Sequence, residues 1–148
     1  MITALTTLHT LDEVAERVRR QDRLYVRWSL GPETDLRDTS SRDELTGVSL
    51  PGLSANSLDV EPWWRDRPVR IWVARRLYDY CHLPRRRGGG VRPWLLRGRE
   101  NGRGPDNEPL VTHVEPLAWV ADAVIGEATR VIEEQPGPWG PVERNQQP

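Results

Sequence analysis

Apolar residues first recur at helical spacing in "TLDEVAERVRRQ". Leu11, Val14, Ala15 and Val18 line one face there, and Glu13, Glu16, Arg17 and Arg20 the other. Thr10 stands three residues before Glu13, the spacing at which a hydroxyl and a carboxylate reciprocally satisfy the first free amides of a helix. The period then shortens to two. In "RLYVRWS", Leu24, Val26 and Trp28 alternate with Tyr25, Arg27 and Ser29, which predicts a strand with a core on the first side and a wetter second side. Residues 31–47 keep no apolar period and read as a surface loop with a short helical turn near 41–45. Val48, Leu50 and Leu53 follow, broken by Pro51-Gly52, as in a bent or edge strand whose exit turn spans 56–59.

A second helical period runs to Leu83, with Asp66 as cap and Pro68 in the first turn, where no amide donor is missed. Val69, Trp72, Val73, Leu77, Tyr80 and Cys81 would pack inward, and Pro84 ends the helix. "PWLLRGRE" and "EPLVTHVE" read as strands joined by the turn "NGRGPDN". A last helix from about 117 to 135 would bury Trp119, Val120, Ala123, Val124, Val131 and Ile132. The architecture expected is α+β: a single domain over 1–136, with a small mixed or antiparallel sheet packed by about three helices. The Pro/Gly-rich stretch 137–148 reads as a flexible tail.

Composition adds constraints. A chain of 148 residues suits one core, and with 36% hydrophobic residues, seven Trp and no Phe, that core must rest on a few indoles. Trp63-Trp64 reads as such an anchor pair, one indole buried and the other at the surface, where Arg65 or Arg67 could stack on it. All 21 basic residues are arginine, and they are unevenly spread: 12 against three acids over 63–104, a local charge of +9. Acidic flanks would neutralise this segment within the fold; otherwise it would present a positive face to a polyanion. No apolar run reaches the ~20 residues of a membrane span. The N-terminal stretch lacks a secretory pattern, and Cys81 stands alone, so a cytoplasmic location is expected.

No phosphate loop, dinucleotide fingerprint or Cys-x-x-Cys pair is present, and His9, His82 and His113 lack metal-ligand spacing. The remaining candidates are polar residues on strands and turns. Arg27 lies between Tyr25 and Ser29; Ser54 and Asn56 follow Pro51-Gly52; Asp106, Asn107 and Glu108 end a Gly-Pro turn just before the last strand. The plainer readings are a salt-bridged Arg27, turn roles for Ser54 and Asn56, and an exposed Glu108.

An arginine on an early strand, a serine on a middle one and a glutamate entering a late one resemble the ADP-ribosyltransferases. The resemblance implies NAD as cofactor and catalytic roles for Arg27, Ser54 and Glu108, with Tyr25, Ser29, Asn56 and Asp106 around the ligand. In that family the arginine holds phosphate or ribose, and the glutamate steadies the cation-like sugar as nicotinamide leaves. "GLSANS" departs from the family's usual Ser-Thr-Ser. A second resemblance spans most of the chain. "LYVRWSLGPETD", "SSRDELTGVSLPGLSANSLDVEPWW", "WVARRLYDYCHL" and "GRGPDNEPLV" are similar to an actinobacterial family, domain-of-unknown-function family 6098, which implies no activity. Three functional classes therefore stand: a small-ligand-binding or NAD-using domain, a non-catalytic interaction module, and, least favoured, a nucleic-acid or other polyanion binder.

Overall fold

The computed structural model describes residues 5–38, 52–81, 91–104 and 107–134. The fold is α+β, a six-stranded mixed sheet curled as a half-barrel and three main helices. In chain order the elements are β1 (Thr6–Leu8), α1 (Leu11–Arg20), β2 (Leu24–Ser29), α2 (Pro32–Asp38), β3 (Leu53–Ser54), β4 (Asn56–Ser57), a 3-10 turn (Pro62–Trp64), α3 (Val69–Cys81), β5 (Arg92–Arg103), β6 (Pro109–Val120) and α4 (Asp122–Glu133). Two compact units share the chain. One gathers β2 through β6 with α2; the other gathers α1, α3 and α4. No described helix is long and apolar enough to cross a membrane.

In the first unit the sheet order is β1-β6-β5-β2-β4, and β3 also pairs with β6. β2 lies antiparallel to β5, with Arg27 opposite Trp94 and Tyr25 opposite Leu96. β3 sets Leu53 opposite Val111 and Ser54 opposite Leu110, whereas β4 sets Ser57 opposite Tyr25. Ala55 alone separates these two short strands, so residues 53–57 cross from the edge of β6 to the edge of β2 and close one end of the curl. The amide of Ala55 donates to Pro109 O at 3.1 Å, and that of Leu58 to Leu24 O at 2.9 Å, extending the strap at both edges. Gly52 is required at its entrance, because a Cβ there would stand 2.8 Å from the Val111 carbonyl oxygen.

This closure explains the first difference from the sequence pattern. The face of β2 expected to be wetter is buried: Tyr25, Leu53, Ala55, Trp94, Leu96 and Val111 form one inner cluster, with Leu36, Val114 and Trp119 packed against it. Leu24, Val26 and Leu95, of opposite phase, are buried too. Period-two alternation distinguishes faces, but it cannot tell whether a sheet curls over the more polar one.

Residues 32–38 form α2 where a loop was expected. Pro32 opens it, where its missing N–H is not needed, and Gly31 precedes it at φ +126°. The amide of Asp35 donates to Gly31 O at 3.0 Å. A helix this short with Leu36 as its apolar anchor carries no period to detect. The expected turn at 41–45 and the start of the edge strand at 48–51 lie outside the described residues. Residues 56–59, expected as a turn, instead begin with β4, and Asp59 then accepts from the amides of Arg23 (2.9 Å) and Leu24 (3.0 Å). β6 runs to Val120, so Trp119 and Val120 belong to a strand and α4 starts five residues later than expected. Pro116 sits where the β5–β6 register shifts, an irregularity that tolerates its missing donor.

In the second unit, α1 has the predicted capping box. Glu13 N donates to Thr10 Oγ1 and Thr10 N to Glu13 Oε1, both at 3.1 Å, and His9 N reaches the same carboxylate oxygen at 2.7 Å. These backbone donors hold the Glu13 pKa below the ordinary glutamate value. Leu11, Val14, Ala15 and Val18 are buried, as their spacing predicts. α3 buries five consecutive residues, Ile71 to Arg75, and then Leu77, so it is enclosed nearly all round over that turn, with α1 and α4 packed against it. α4 buries Val124, Ala128 and Ile132, whereas Ala123 is exposed. Arg70 joins the three helices: Nε meets Asp12 Oδ1 at 2.7 Å and Nη2 meets Glu127 Oε2 at 2.5 Å. The other oxygen of Glu127 accepts from Leu11 N at 2.9 Å, at the first turn of α1. Trp64 is buried and Trp63 half-buried; with Trp72 they pack at centroid distances of 5.4–5.8 Å. Arg67 lies over Trp64 and Arg76 over Trp72, each the favourable side of an indole for a cation.

Candidate functional site

The polar residues of the first unit gather at the β2–α2 end of the inner cluster. Arg27 leaves β2 opposite Trp94 and is only 9% exposed. Its Nε donates to Asp35 Oδ2 at 2.7 Å, and Nη2 approaches Asp35 Oδ1 at 3.5 Å. Nη1 donates to the Ser54 carbonyl at 2.6 Å and to Ser54 Oγ at 3.3 Å. A guanidinium taken out of water needs this degree of satisfaction, because a lone buried charge is strongly disfavoured.

Ser29 completes the group, and its proton direction follows from its neighbours. Its Oγ accepts from Trp94 Nε1 at 2.9 Å and from Gly31 N at 3.1 Å. Both lone pairs are thereby engaged, so the hydroxyl hydrogen is left for Asp35 Oδ2, 2.5 Å away. Charged acceptors make hydroxyl bonds this short. One carboxylate oxygen thus receives both a guanidinium N–H and a serine O–H. The three polar groups Arg27, Ser29 and Ser54 come from β2 and β3, while the carboxylate comes from α2.

Of the sequence-selected residues, the structure brings Arg27, Ser29 and Ser54 together. Tyr25 shares their face two residues along β2 and belongs to the apolar cluster; burial raises its phenol pKa, with the charges of Glu100 and Asp59 adding to the shift. Asn56 lies opposite Val26, and its position is therefore on the other face of the sheet. Glu108 stands two residues before Leu110, the partner of Ser54, but its carboxylate lies against Gly104 in the β5–β6 hairpin, where Gly104 N donates to Glu108 O at 2.8 Å. Asp106 lies outside the described residues. The carboxylate that meets Arg27 is Asp35, which the sequence reading passed over. The one available signal was its spacing, eight residues after Arg27 and following Gly31-Pro32, where a chain reversal could return it to the strand.

Elsewhere four arginines of the basic stretch meet acids. Arg97 contacts Asp22 at 3.2 Å and Glu115 at 3.9 Å, and Arg103 contacts Glu100 at 3.0 Å. Arg76 pairs with Glu61 at 3.1 Å, and Arg70 with Asp12 and Glu127 as above. Among the described residues no three His, Cys, Asp or Glu side chains assemble as a metal site would require. No curated protein and no solved structure matches the chain. A family model described as a family of unknown function, DUF6098, does match, over residues 1–140, and the chain belongs to that family.

Proposed function

We propose that the protein is a small-ligand-binding domain whose ligand is anchored by Arg27 on the inner face of the curled sheet. The meeting of Arg27 and Ser29 on the Asp35 carboxylate, with Ser54 accepting from the remaining guanidinium nitrogen, carries this reading. Arg27 and Ser29, successive residues on one face of β2, make a donor array suited to an acceptor-only group, and Ser54, far along the chain, fixes its aim. The NAD-using, ADP-ribosyltransferase-like version is a narrower form of the same reading. It needs the Glu108 carboxylate beside the ligand as well as Arg27. Thermal shift of the full chain against NAD and a panel of anionic metabolites tests both forms. Ligand binding predicts a rise in Tm that Arg27→Gln abolishes. A rise with NAD lost in both Arg27→Gln and Glu108→Gln supports the narrower form, whereas a rise with other anions and none with NAD removes it. No Arg27-dependent rise with any ligand overturns the whole reading.

One observation favours the alternative of a non-catalytic interaction module. Asp35 already neutralises Arg27, so the network can serve the fold alone and leave function to the surface, where Leu30 is 58% exposed. Pull-down comparing wild type with Leu30→Asp tests it: a partner retained by the first and lost by the second supports this reading, and identical partners count against Leu30.

A further inference from the structure

We propose that Arg27, Ser29 and Ser54 form a carboxylate receptor of which Asp35 is the tethered occupant, and that a carboxylate-bearing ligand binds by taking Asp35's place. This rests on the ligand-binding reading above and names the ligand's chemistry. The receptor and its occupant belong to different elements. Arg27 and Ser29 are consecutive same-face residues of β2, Ser54 is fixed on β3 by its ladder to β6, and Trp94 on β5 orients Ser29. The acceptor arrives from α2, seven residues long and entered through Gly31 at φ +126°.

The donors are aimed by groups other than the Asp35 carboxylate itself. Nη1 of Arg27 is held by Ser54, which aims Nε and Nη2 at one side, and the two donors on Ser29 Oγ force its hydrogen to that same side. A neutral hydroxyl or amide ligand would waste part of this array, whereas a planar two-oxygen anion matches the fork. The rest of the inner face is the closely packed apolar cluster around Leu53, Trp94 and Leu96, which disfavours a tetrahedral group with further charged oxygens. Binding by exchange avoids leaving Arg27 unpaired, since one carboxylate replaces another.

The test uses the full chain with Asp35→Ala, which empties the seat, titrated with sodium acetate at neutral pH and followed by thermal shift. The expected result is a lowered Tm that acetate restores saturably by several degrees, with no restoration by sodium chloride at equal ionic strength. The double variant Arg27→Gln/Asp35→Ala should not respond. Equal responses to chloride, or a response that survives in the double variant, would overturn the receptor. Inorganic phosphate restoring Tm at lower concentration than acetate overturns the carboxylate assignment. Asp35→Ser carries the same titration if the alanine variant does not fold. In the wild type, the Arg27 Nε–H resonance should move with acetate at higher concentration; a resonance that stays fixed overturns displacement. If rescue fails while wild type still shows an Arg27-dependent rise with an anionic metabolite, the ligand-binding reading stands and the tethered occupant falls.

Discussion

Arg27 illustrates how little a residue type says before its neighbours are known. On an alternating strand it reads as a solvated charge or a ligand anchor. In the fold it is buried, with every arm of its guanidinium engaged by Asp35 or Ser54. Removing one partner of such a pair leaves an uncompensated buried charge, so Arg27→Ala should cost about 3–5 kcal/mol in urea denaturation. Replacing both partners by apolar residues, as in Arg27→Met/Asp35→Leu, should cost much less than the sum of the single changes. A double variant as damaged as that sum would show that the pair does not act as one unit. At Gly52, Gly52→Ala would drive a methyl onto the Val111 backbone and should cost about 1–3 kcal/mol by the same measurement. Glu13 gives a pH prediction. Its folded pKa is depressed, so its contribution is present above the ordinary value of about 4.3 and is lost as pH falls through the lower folded pKa. Glu13→Gln should therefore flatten the acid limb of the stability profile and leave the neutral-to-alkaline region parallel to wild type.

Elements were legible where a single periodicity governed them. α1 announced itself through four apolar residues and a capping pair, and β2 through strict alternation; both appear with the predicted bounds to within a residue or so. Thr10→Ala should accordingly cost about 1 kcal/mol, measured by thermal or urea melts. Where two periods overlap the sequence misleads. Leu117, Val120 and Val124 repeat at helical spacing, yet the first two lie in β6 and only the third in α4. α2 and β4 were invisible for a different reason, and β3 was expected only as the end of a longer bent or edge strand. Each is shorter than the window over which a period can be counted, and each is held by tertiary partners: Leu36 by the inner cluster, β3 by β6, β4 by β2. The candidate site inherits this limit. Its strand-borne residues Arg27 and Ser29 could be picked from the pattern, whereas Asp35, on the undetected helix, could not.

Across the molecule, part of the charge asymmetry of the sequence is met by local pairs among the described residues. A segment of +9 suggests a polyanion surface, but Arg70, Arg76, Arg97 and Arg103 each meet a carboxylate. Fluorescence anisotropy with single-stranded DNA at low salt should show no tight, steeply salt-dependent association; a slope of several counterions would contradict this. Both compact units are assembled from separated stretches of chain, so neither can form until distant segments meet. That predicts slower folding than a helical bundle of this length would show, with rates in the range typical of topologies dominated by long-range pairing, measurable by stopped-flow refolding.

The strap at residues 53–57 carries one further implication. It must keep step with two neighbours at once, β6 on one flank and β2 on the other, with Ala55 as its sole spacer. Lengthening it by a residue would satisfy one ladder only by throwing the other out of phase, and Ser54 would lose its place beside Arg27. Chain length at this point is therefore as tightly specified as side-chain identity, and an indel here would do more harm than most substitutions around it.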